Sequence, residues 1–149
     1  MDYDNEMTLS FRAVSNNEKF ARLAVSAFAL QLDPAVSELT EIKTAVSEAV
    51  TNAIIHAYDN REGIVNVWCG LKENFIYIEI SDNGKGIENI ETAVQPLFTT
   101  KPDEERSGLG FTIMQSFMDN MKVESVVGKG TKIAMEKKIG ILENKGCAV

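Results

Sequence analysis

Glu48, Asn52 and His56 recur every fourth residue in the run SEAVTNAIIHAY, so on a helix they form one polar stripe. A carboxylate, an amide oxygen and an imidazole in that order suit a base, a ligand for Mg²⁺ and a phosphate contact. Mg²⁺ prefers oxygen donors and usually takes few of them from the protein. The same spacing is also ordinary on a solvated helix face, and the stripe alone does not separate the two. Further on, Asp82-Asn83-Gly84-Lys85-Gly86 follows an alternating apolar run. Asp, Asn and Gly are common turn residues, yet no strand pairs back directly after this turn. Two glycines there suggest a close approach of backbone to a ligand. An aspartate at the end of a strand, screened from water by that ligand, can accept a hydrogen bond from an exocyclic amine such as that of adenine.

Arg106-Ser107-Gly108-Leu109-Gly110 opens a helical stretch. The unpaired N–H groups and the positive dipole end of such a helix make an anion site. Thr99, Thr100, Lys101 and Arg106 add hydroxyls and cations just before it, enough for a polyphosphate; a glycine-containing helix entry beside a solvated loop is the plainer alternative. GKGT at 128–131 is not a P-loop, because no glycine stands five residues earlier and a strand follows. It reads as a hairpin turn that brings Thr131 near a ligand.

The elements that must hold these groups follow from periodicity. Met7, Leu9 and Phe11 alternate with polar residues as in a half-buried strand. Ser15 to Glu18 reads as a capping box, followed by a helix whose core stripe is Phe20, Leu23, Ala24, Ala27 and Phe28. Asp33-Pro34 opens a second helix, with Ser37 a competing cap, and this helix runs to about Tyr58. Its buried stripe is Leu39, Ile42, Val46, Ala49, Val50, Ala53 and Ile54. Residues 64–70 and 75–81 form one hairpin, and 122–127 and 131–138 another. Between them lie a poorly periodic lid at 87–107, with a helical turn near 89–94, and a third helix at 109–119. The tail from Ile139 looks weakly structured. There are too few βαβ units for a parallel sheet. The expected fold is a two-layer α+β sandwich, three helices covering one face of a mostly antiparallel mixed sheet.

Composition narrows the function. With 149 residues, 44% apolar and 25% charged, the chain has globular values and room for one core, so a single domain is expected. A net charge of −7 disfavours direct contact with nucleic acid or anionic lipid. No apolar run is long enough to span a bilayer. Cys69 and Cys147 have no metal-ligand spacing and the N-terminus has no leader character, which leads us to expect a cytoplasmic protein.

The order of the motifs is more specific than any one of them. ExxxNxxxH on a helix, DxGxG after a strand, a lid, GxG before a helix and GxGT in a hairpin resemble the GHKL, or Bergerat-fold, ATP-binding family. The resemblance covers residues 7–138. SEAVTNAIIHAY, QPLFTTKP and ERSGLGFTIM are most similar to the branch of that family formed by anti-sigma serine kinases of spore-forming bacilli. It implies ATP or ADP with Mg²⁺ as cofactors, Glu48 as the catalytic carboxylate and Asn52 as the metal ligand. Asp82 would take the adenine amine, with Gly84, Gly86, Ile87 and Thr131 around the base. Thr99, Thr100, Lys101, Arg106, Ser107, Gly108, Leu109 and Gly110 would close on the phosphates; His56 occupies the motif position, with packing at a helix end as the alternative.

By the same resemblance the partners are a sporulation sigma factor, held inactive, and a small anti-anti-sigma factor phosphorylated on serine. A homodimer through the first strand and helix, with Arg22 a candidate contact, is also implied. Two alternatives are a sigma-binding module with incidental ATP turnover and a histidine-kinase-type catalytic domain. The second of these would be expected to carry a phosphoacceptor helix pair or sensor ahead of residue Met7.

Overall fold

In the computed structural model, residues 2–59, 62–95 and 109–140 are described. Five strands, β1 (Asn5–Arg12), β2 (Ile64–Lys72), β3 (Phe75–Asp82), β4 (Asn120–Val126) and β5 (Gly130–Lys138), form one sheet in the order β1-β2-β3-β5-β4. Every pairing is antiparallel, so the sheet is not mixed. The two hairpins require this for their own strands. Two helices between β1 and β2 return the chain to the end it left, where Ala13 N–H bonds Gly63 O at 2.8 Å.

Alternation sets the faces. Val67 and Cys69 of β2 lie opposite Ile80 and Ile78 of β3, which lie opposite Ile133 and Met135 of β5, and all six are buried. Over that face lie α1 (Asn16–Ala29), α2 (Val36–Asn52), the four-residue α3 (Ile90–Ala93) and α4 (Gly110–Phe117). The α1 and α4 helices both pack on α2. Among the described residues no helix is long and apolar enough to cross a membrane.

Three details differ from expectation. The buried face of α1 is Ala21, Val25, Ser26 and Ala29, whereas Phe20 and Leu23 remain 50% and 58% exposed. The i, i+4, i+8 row of small residues lets α1 approach α2 closely, which turns the bulkier row outward. Phe20 keeps an edge contact with Phe11 at 6.2 Å.

The capping box at Ser15 does not form: Ser15 already has helical φ and ψ, and Glu18 pairs with Arg22 at 3.6 Å instead. Glu38 performs that function on α2, accepting from Ala35 N at 2.8 Å. Its other oxygen accepts from Gly140 N at 3.1 Å. Ile139 is therefore not part of a loose tail. It is buried in the core, and its N–H bonds Asn74 O at 2.7 Å. The remainder of that tail, 141–149, lies outside the described residues.

The helix expected to reach Tyr58 does so with a change of winding: α2 passes at Asn52 into a π-helical turn, Ala53–Ala57. Such turns are rare and tend to occur at functional sites.

Candidate nucleotide-binding site

A cavity of about 550 Å³ lies between the helices and the sheet. Ala49, Asn52, Ala53 and His56 form its helical wall, and Ile80, Asp82, Thr131 and Ile133 its sheet wall. Gly86, Ile87 and Val127 close one side, and Gly110 and Phe111 of α4 another. Apolar walls with a few convergent polar groups suit a flat heteroaromatic ligand.

Asp82 ends β3 opposite Thr131 of β5. Its Oδ1 accepts from Gly84 N at 2.9 Å and Thr131 N at 3.3 Å. Both bonds go to one oxygen, which leaves Oδ2 for a ligand donor. Burial pushes the Asp82 carboxyl above its ordinary 3.8, while the Gly84 and Thr131 amides pull the other way.

The glycines of this loop answer first to packing within the protein. A Cβ on Gly84 would strike the Ala57 carbonyl, and one on Gly86, at φ +80°, would strike the Val126 carbonyl. It is the protein's own backbone that comes close. Gly86 also lines the cavity, whereas Gly84 lies behind the lining, against the π turn.

Two contributors escaped sequence reasoning. Ser125 Oγ accepts from Ile87 N at 2.7 Å, donates to Gly130 O at 3.0 Å and lies 2.8 Å from Thr131 Oγ1. It thereby fastens the exit of the Asp82 loop to the second hairpin. Tyr58 Oη donates to Ile64 O at 2.8 Å and accepts from Asn83 N at 2.7 Å. One is an unremarkable serine in an alternating strand and the other follows a helix, and no local pattern marks either.

On the helical wall Asn52 Nδ2 is buried and has no hydrogen-bond partner among the described residues. Amide O and N are exchangeable in assignment, so this wall offers one uncommitted polar amide to the cavity. Among the described residues no group of three or more His, Cys, Asp or Glu is placed to hold a metal ion. A Mg²⁺ here would rest on the Asn52 oxygen, ligand phosphates and water, which is the sparse protein coordination that Mg²⁺ favours.

His56 joins Asn52 in the lining; Glu48, one turn earlier on α2, is outside it. Leu109 precedes α4, whose first residue, Gly110, faces the cavity. Thr99, Thr100, Lys101, Arg106, Ser107 and Gly108 lie outside the described residues, as does the 96–107 part of the expected lid.

Comparison with known proteins identifies the family of the chain. The family described as "Histidine kinase-like ATPase domain" matches residues 11–137. A protein of Caldanaerobacter subterraneus named anti-sigma F factor is 58% identical over 140 residues, covering 94% of this chain and 98% of the relative. One of the same name from Clostridium acetobutylicum is 55% identical over 141 residues, covering 95% and 99%.

Among solved structures, the RsbU and RsbW domains of Rv1364c from Mycobacterium tuberculosis align over 91% of this chain at a TM-score of 0.66 and 16% identity. This chain spans 32% of that longer one. The catalytic domain of histidine kinase ThkA aligns with a TM-score of 0.58 at 17% identity, covering 89% of this chain and 96% of the other. At those identities the likeness establishes the fold alone. Sequence and fold together make this chain a member of the histidine kinase-like ATPase family, the GHKL group, and so a nucleotide-binding domain.

Proposed function

We propose that this protein is an ATP-dependent serine kinase that also binds and restrains a sporulation sigma factor, its kinase substrate being a serine of a small anti-anti-sigma protein. The observation that carries this reading is 55–58% identity, over 94–95% of the chain, to proteins named anti-sigma F factor. The cavity supports the nucleotide half of it. Asp82 Oδ2 would accept the adenine amine between Ile80 and Ile133, with Gly86, Ile87 and Thr131 around the base.

Asn52 would hold Mg²⁺, which supplies charge neutralisation at the phosphates. His56, Leu109, Gly110 and the residues 99–101 and 106–108 would contact those phosphates. Glu48 would take the proton of the incoming serine hydroxyl as its oxygen bonds the γ-phosphorus and ADP leaves. Such a transfer depends mainly on positioning and charge, which this constellation is suited to provide. Phosphate on the antagonist would add charge and bulk at its interface and release it.

The proposal also treats residues 1–149 as one functional unit acting in the cytoplasm as a homodimer. In support, β1 is an edge strand, and Val14, Phe20, Leu23 and Leu30 leave apolar surface exposed beside it. Arg22, paired with Glu18 on the same helix, remains a candidate partner contact.

The position of Glu48 outside the cavity lining favours one competing reading, a module in which nucleotide shapes the sigma-docking surface without transfer. Partners captured in Mg²⁺-ATP and probed for phosphoserine decide between them. A bound sigma factor plus a phosphorylated small protein supports the proposal, and absence of both sinks it. Glu48→Gln is expected to abolish transfer and retain sigma binding. Unchanged transfer would remove Glu48 from the mechanism.

A further inference from the structure

Tyr58 does not line the cavity, yet the loop carrying the base acceptor hangs from it. Its hydroxyl joins Asn83 N, the residue after Asp82, to the carbonyl of Ile64, the first residue of β2. Neighbouring contacts run the same way. Lys85 N bonds Ala57 O at 3.0 Å, and Lys85 Nζ pairs with Asp59 at 3.3 Å. Gly84 packs its α-carbon against the Ala57 carbonyl.

The loop is thus clamped to the end of the π turn, whose other end adjoins Asn52. A hydroxyl is the simplest group able to accept from one backbone amide and donate to another carbonyl through a single atom. Phenylalanine would keep the ring and leave both backbone groups without that partner.

We propose that Tyr58 is a positioning residue for base selection: its hydroxyl fixes the 82–86 loop so that Asp82 presents its second carboxylate oxygen to an exocyclic purine amine. The inference rests on the reading of the cavity as an adenine-nucleotide site. Because Tyr58 does not touch the ligand, it acts through Asp82 and therefore on discrimination. The contrast that reads this is ATP against ITP, which carries a carbonyl oxygen where adenine has its amine and so offers Asp82 no donor at that position.

Calorimetric affinities of the full chain for ATP and ITP test it, in wild type, Tyr58→Phe, Asp82→Asn and the double variant. Tyr58→Phe is expected to weaken ATP about fivefold, within the range of one hydrogen bond, and ITP by less than about twofold. In the Asp82→Asn background it should add nothing. Equal weakening of both nucleotides, full additivity with Asp82→Asn, or no change would each overturn the proposal. Should Tyr58→Phe fail to fold, 3,5-difluorotyrosine at position 58 keeps the shape and weakens the acceptor. A reduced ATP preference then supports the role, and an undiminished one removes it. Wild type binding ATP and ITP alike would instead overturn the adenine reading and this inference with it; a wild-type preference that Tyr58→Phe leaves intact discards Tyr58 alone.

Discussion

On the sheet side of the cavity, Asp82 Oδ1 accepts two backbone amides, Ser125 links three groups and Tyr58 joins the loop after β3 to the start of β2. On the helical side, the Asn52 amide is buried with a donor that no described residue meets. A buried polar atom without a partner carries a desolvation penalty; on the first wall the loop is hydrogen-bonded in place with Asp82 Oδ2 left over, and on the second the Asn52 amide is left over. Under the proposed reading the sheet wall would act as a preformed template for the base. The helical wall is completed by what binds, so affinity contributed there should depend on metal and phosphate.

Asp82→Asn strikes the template hardest. Losing a charge-assisted bond to the base amine should weaken ATP by about 10- to 100-fold, read by calorimetry. The nucleotide-free protein should melt higher at neutral pH, not lower. Because burial raises the folded-state pKa of Asp82, its ionised form opposes folding above that value, and the penalty vanishes below the ordinary 3.8. The gain in Tm should accordingly shrink as pH falls. Wild-type ATP affinity should decline on acidification from a higher pH than an unperturbed carboxylate would give. A lower Tm for the variant would mean that Asp82 is part of the scaffold rather than held for a ligand.

Asn52→Ala tests the other wall. It should weaken ATP about tenfold in Mg²⁺ but hardly in EDTA, with little change in the nucleotide-free Tm, since the amide donor has no partner to lose. Equal weakening in both buffers would mean that the amide meets the nucleotide directly.

Gly84→Ala presses the loop off the π turn, an overpacking of about 1–3 kcal/mol that should lower Tm by roughly 5 °C and ATP affinity a few-fold. An unchanged affinity would show that the clamp is not needed for the template. The smallest effect on binding is expected far from both walls. Glu38→Gln removes one of two acceptors for Ala35 N and Gly140 N, which should cost about 1 kcal/mol in a denaturant melt and leave the ATP affinity unaltered.

Much of this was legible beforehand where the signal is local. Alternation in β1, β2, β3 and β5 located the strands, and the cap at Asn89, donated to by Thr92 N at 3.0 Å, sits where the lid was expected to make a helical turn. Asn52, His56, Asp82, Gly86, Ile87, Gly110 and Thr131 do meet around one cavity although they span 80 positions of the chain, from 52 to 131. The face of α1 was misread because large apolar residues outweighed a row of small ones, and close helix packing favoured the latter. That Gly84 and Gly86 also meet the protein's own backbone was not legible, because a sequence shows that a close approach is needed and not which backbone arrives.

The period-2 strands, the Glu48, Asn52 and His56 spacing and the order of motifs that marks the family could be read from the chain alone, since each depends on local residue patterns. It took the folded chain to show that Ser125 and Tyr58 anchor the 83–87 loop, that the Asn52 amide nitrogen has no partner among the described residues and that Glu48 stands outside the lining. These depend on contacts across 25 or more residues, or on the sudden change from α to π winding after Asn52, and side-chain direction there is fixed by packing rather than by spacing.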